Sequence, residues 1–134
     1  MDKNPPLKSE LVNEFVRVAH GDFDRVKALL NQEPALLNAA WDWGNGDWET
    51  GLGAAAHMGR KDISQHLVAL GARMDIFAAA MLGRLDIVQA IAAAQPEALK
   101  APGPHGISLM THAKKGGKEA VAVVKFLNSA GKKK

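Results

Sequence analysis

The stretch Val26-Lys27-Ala28-Leu29-Leu30-Asn31-Gln32-Glu33-Pro34-Ala35-Leu36-Leu37 returns as Val88-Gln89-Ala90-Ile91-Ala92-Ala93-Ala94-Gln95-Pro96-Glu97-Ala98-Leu99, an offset of 62 from position 26 to position 88. Each copy reads as an apolar helical face that stops before a proline, because the residue preceding proline is driven out of helical backbone. A helix this short exposes apolar surface that it cannot shelter by itself. Recurrence therefore implies neighbours of the same kind, and the offset is close to two units of about thirty residues each.

Similar stripes lie on either side. Leu11, Phe15 and Val18 fall at i, i+4 and i+7, and Ile63, Leu67 and Leu70 form another stripe closed by Gly71. Ile87, Val88 and Ile91 give the next, and Val123, Val124 and Leu127 the last, with Gly131 beyond it. Alternation of β-branched residues is scarce, so the expected class is all-α. Four glycine-led segments separate the helices of each pair: Gly21-Asp22-Phe23-Asp24, Gly59-Arg60-Lys61-Asp62, Gly83-Arg84-Leu85-Asp86 and Gly116-Gly117-Lys118-Glu119. Glycine permits a tight reversal, and acids in the following turn complement the positive end of a helix.

These segments resemble the ankyrin-repeat family. Gly83-Arg84-Leu85-Asp86-Ile87-Val88-Gln89 is similar to the start of that family's second helix. Thr50-Gly51-Leu52-Gly53-Ala54-Ala55-Ala56-His57-Met58-Gly59 is similar to its T-P-L-H-x-A-A-x-x-G first helix, with Gly51 in place of proline and Gly53 in place of histidine. The resemblance covers residues 9–131 and implies a solenoid of stacked antiparallel helix pairs with irregular turns. The expected units are about 9–40, 41–74, 75–103 and 104–131, between a disordered segment 1–8 and a basic tail 132–134. Spacing between the glycines is uneven. Gly21 to Gly59 holds an enlarged loop, and Gly59 to Gly83 leaves no extended turn, with Asp75 placed to cap the helix that follows. About three extra residues fall in the reversal after Gly116.

Composition narrows the function. The chain has 134 residues and no cysteine, so one domain is expected, without disulfides or thiolate zinc sites. No apolar run reaches the ~20 residues of a membrane span, no secretory signal is expected, and the expected address is cytoplasmic. The net charge of +3 is spread among alternating acids and bases, and three of the lysines are terminal, which argues against a nucleic-acid face. A monomer is expected.

Two surfaces stand out for recognition of another protein. One is the enlarged loop Trp41-Asp42-Trp43-Gly44-Asn45-Gly46-Asp47-Trp48-Glu49, which holds all 3 tryptophans and is expected to form a finger-like hairpin about Asn45-Gly46. The other follows from the family resemblance, which implies that the pair before each inter-helix glycine faces the concave side. Those pairs are Ala19-His20, His57-Met58, Met81-Leu82 and Lys114-Lys115. Trp41, Trp43, Trp48, His57, Met58, Met81, Leu82, Lys114 and Lys115 are accordingly the expected partner-binding residues, with no cofactor, metal or catalytic residue.

The alternative is a small-molecule or metal-dependent site built on His57, His112 and Asp47, in which the two histidines, on corresponding first helices, approach one another near Asp47 or Glu49. A structural subunit of a larger assembly is a third reading. No histidine pair has the i, i+4 spacing of a helical zinc site, and no serine lies in a G-x-S-x-G turn.

Overall fold

Residues 5–132 are described by a computed structural model, and most of them are helical. Eight α-helices form four consecutive pairs: α1 (Ser9–Val18) with α2 (Phe23–Gln32), α3 (Gly51–His57) with α4 (Lys61–Ala69), α5 (Ile76–Met81) with α6 (Leu85–Ala94), and α7 (Leu109–Lys115) with α8 (Val121–Lys132). The first helices pack in a row, α1 on α3, α3 on α5 and α5 on α7, while α2 meets α4 and α6 meets α8. Ala54–Ala56 and Ala78–Ala80 are fully buried, and their small side chains let the row close up.

Local chemistry sets the helix starts. Thr50, Asp75 and Ser108 stand immediately before α3, α5 and α7, and each side chain accepts a hydrogen bond from the backbone N–H three residues on. That satisfies one of the orphan donors of a first turn. The duplicated stretch folds twice in the same way. Glu33 (φ −142°, ψ 86°) ends α2 and Gln95 (φ −145°, ψ 82°) ends α6, and each is followed by a proline-led 3-10 turn, Pro34–Asn38 and Pro96–Leu99.

Phe15, Val26, Leu29, Leu36, Leu52, Ile63 and Leu67 fill the core of the first half, and Ile76, Val88, Leu109 and Val123 that of the second. Gly83 shows why a reversal needs glycine here: its φ is +75°, and a Cβ would overlap the carbonyl of Glu119. Gly21 adopts no positive φ, and the carboxylate of Asp22 caps α2 there instead. The added residues after Gly116 form a 3-10 turn, Gly117–Ala120.

The enlarged loop is a two-stranded antiparallel ribbon, β1 (Ala40–Asp42) and β2 (Trp48–Thr50), with Ala40 opposite Thr50, Trp41 opposite Glu49 and Asp42 opposite Trp48. The Asp42 carboxylate accepts from the N–H groups of Gly44 (2.9 Å) and Gly46 (3.0 Å), which shapes the turn around Asn45. The ribbon does not project as a finger. It lies against α1, and the Trp41 ring packs on the core.

Pro5–Lys8 have no regular secondary structure, and Leu7 contacts the core; residues 1–4 of the expected disordered segment lie outside the described residues. Of the expected tail, Lys132 closes α8, and residues 133–134 lie outside the described residues. No helix among the described residues is long and apolar enough to cross a membrane.

Candidate functional site

Strand β2 delivers Glu49 to the ends of α1 and α3. Side chains alternate along a strand, so Glu49, opposite Trp41, turns inward while Trp48 turns out. Glu49 is 1% exposed and is ringed by polar groups. The indole N–H of Trp43 donates to its Oε1 at 2.9 Å. Three imidazoles bring Nε2 to the same carboxylate: His57 at 3.0 Å from Oε2, and His20 and His105 each at 3.3 Å from Oε1.

The rings are fixed from behind. His20, just past α1, donates from Nδ1 to the carbonyls of Val16 and Arg17, both at 3.0 Å. Asp47 accepts the backbone N–H of His105 and its Nδ1–H, both at 2.8 Å. This grip holds His105 at φ +59°, a left-handed conformation uncommon outside glycine. His57 has no such partner. Its Nε2 and the Oε2 of Glu49 are buried and within ion-pair distance, yet they are not aligned for a hydrogen bond, and neither atom has another partner among the described residues.

The electrostatics follow. Burial pushes the Glu49 carboxyl upward, but the Trp43 N–H and the imidazoles of His20 and His57 placed against it outweigh burial and hold it well below the usual carboxylate range. Hydrogen bonding to Glu49 in turn raises His20 above the ordinary histidine value, against the opposing effect of burial.

The expected site residues are distributed unevenly. His57 is in the cluster, Trp43 caps it, and Met58 (48% exposed) lies beside it. Trp48 is 61% exposed on the outer face of the ribbon. Lys114 and Lys115 are exposed, and Lys115 packs against the backbone of Gly59. Met81 is a correction: it is fully buried, in the core between α5 and its neighbours, and presents nothing to a partner. Leu82 and Trp41 are half-buried and pack on the same core.

The grouping of His57, His112 and Asp47 also needs correction. Asp47 binds His105, and His57 meets Glu49. His112 is fully buried, donates from Nδ1 to the Ser108 carbonyl at 2.8 Å and packs at a tilt against Phe77. The sequence offered Glu49 only as an alternative to Asp47 and His20 only on the concave side, and it gave His105 no site role. His20 and His57 were within reach of sequence reasoning, since both end the first helix of neighbouring units and so must lie side by side. His105 gave no such signal, because it comes from the loop Pro102–Gly106, whose position depends on the stack.

No protein-family model matches the chain, and no curated protein matches it.

Proposed function

We propose that the chain is a non-enzymatic binding protein, an ankyrin-like stack of helix pairs that recognises another protein through its ribbon and the C-terminal ends of its first helices. The reading is supported by one run of neighbouring side chains. The Trp43 ring lies 6.3 Å from His20, His20 lies 5.0 Å from His57, Met58 follows His57, and Lys115 abuts Gly59. Exposed tryptophan and methionine beside lysines suit a partner segment that presents an apolar side chain next to an acidic one. The Glu49 hub gives that surface a rigid floor, which limits the ordering cost of association. A reducing, cytoplasmic setting goes with the cysteine-free composition.

The test is crosslinked capture from cells with the wild type and two variants, Met58→Ala/Lys115→Glu and Trp48→Ala, circular dichroism confirming that each remains folded. A protein retained by the wild type and lost by the first variant supports the surface. Equal retention by all three, or none by any, rejects it.

A further inference from the structure

The geometry points to a transition-metal site formed by His20, Glu49, His57 and His105, filled by a borderline divalent ion of which zinc is the type. The four residues come from four separate parts of the fold: His20 from just past α1, Glu49 from β2, His57 from the C-terminal end of α3, and His105 from the loop before α7. One ligand atom from each lies within 4.8 Å of all the others. A tetrahedral zinc site with metal–ligand bonds of about 2.0–2.1 Å has ligand atoms roughly 3.4 Å apart. The Nε2 of His57 lies 3.0 Å from Oε2 of Glu49, and those of His20 and His105 lie 3.3 Å from Oε1, so each ring stands near that edge length from one or the other carboxylate oxygen.

Tautomers strengthen the argument. The Nδ1 of His20 faces only carbonyl oxygens, and the Nδ1 of His105 faces a carboxylate, so both must be N–H donors. Neutral rings then direct Nε2 lone pairs at one another and at the Glu49 carboxylate. In the metal-free chain only protons can relieve that repulsion. A dication relieves it at once, accepting the three nitrogen lone pairs and one carboxylate oxygen. The charges also close, because Glu49 and Asp47 together carry two negative charges.

The surroundings are those of a ligand set rather than a chance cluster. Asp47 stands behind His105 and backbone carbonyls behind His20, the arrangement that orients metal-binding imidazoles. Trp43 occupies Oε1, leaving the buried, partnerless Oε2 of Glu49 facing the equally partnerless Nε2 of His57. Nitrogen-rich donors select zinc, cobalt, nickel or copper over magnesium, which demands oxygen ligands.

The experiment uses the untagged chain, stripped with a chelator and titrated calorimetrically with zinc, with cobalt(II), and with magnesium as the control cation. The expected result is one zinc or cobalt per chain and no magnesium uptake, with cobalt giving the visible absorption of a four-coordinate nitrogen–oxygen site. His20→Gln and His57→Gln each weaken zinc binding at least tenfold, whereas His66→Gln, whose ring packs on Phe23, leaves it unchanged. A readout on the wild type alone keeps the test decisive if a variant fails to fold. Zinc shifts the ring NMR signals of His20, His57 and His105 and spares those of His66 and His112. No stoichiometric uptake, or uptake that leaves those three rings unshifted, overturns the assignment. No partner protein enters the experiment, so its outcome is independent of the binding function proposed above.

Discussion

The two carboxylate oxygens of Asp47 each hold a nitrogen of His105, one from the backbone and one from the ring, at 2.8 Å. These contacts fasten the turn of the ribbon to the loop before α7. They also decide which way the His105 ring points, and thus whether its Nε2 reaches Glu49.

Asp47→Asn separates these roles. The amide oxygen still accepts from the His105 backbone, but the amide nitrogen cannot accept from Nδ1–H, so the ring loses its orienting partner. Changes of this kind weaken metal sites by about 10–100-fold. The expected outcome is a loss of zinc affinity in that range with an unchanged helical circular dichroism spectrum, measured by competition with a chromophoric chelator. Wild-type affinity in the variant would mean that Asp47 does not orient the ring.

The two methionines beside the inter-helix glycines behave oppositely. Met81 is fully buried, so Met81→Ala leaves a cavity and costs about 2–5 kcal/mol in urea unfolding. Met58 is 48% exposed, and Met58→Ala stays within about 0.5 kcal/mol of the wild type. Equal losses would place Met58 in the core as well.

Burial, opposed in part by the Ser108 carbonyl, depresses the His112 pKa below its ordinary value of 6.5. The folded state then holds this ring neutral while the unfolded chain protonates. Its contribution is complete above the unfolded value and is lost as pH falls below 6.5 toward the folded value, at no more than about 1.4 kcal/mol per pH unit. Unfolding of the metal-free wild type and of His112→Gln between pH 7.5 and 5.5 measures this contribution. The wild type should lose more stability on acidification than the variant, and parallel curves would refute it.

Two glycines with left-handed backbone should differ in tolerance. At Gly71 (φ +103°) an added Cβ meets nothing within 4 Å, so Gly71→Ala bears only the backbone strain, about 1–2 kcal/mol. Gly83→Ala bears that strain and a collision with the Glu119 carbonyl, and should cost about 2–4 kcal/mol. Thermal unfolding of both variants provides the comparison, and similar Tm values would contradict the close approach of the α7–α8 turn to Gly83.

The helices and their boundaries were legible in the sequence because they are local. Apolar periodicity, prolines at 34 and 96, and capping side chains such as Asp75 act over a few residues, and the duplicated stretch folds alike twice because the same short-range forces act on both copies. The reversal of the ribbon was legible too, from Asn45-Gly46, but not that the ribbon lies against α1 instead of projecting as a finger. The direction of side chains was not. Met58 and Met81 stand alike beside their glycines, and only the packing of α5 between α3 and α7 puts one outside and the other in the core. The same holds for the histidines. Whether His112 or His105 joins His57 depends on how far the loop before α7 reaches over the row of helices and on where Asp47 meets it, 58 positions away in sequence. Local forces determined the elements; burial and charge across the assembled stack decided which of them share a site.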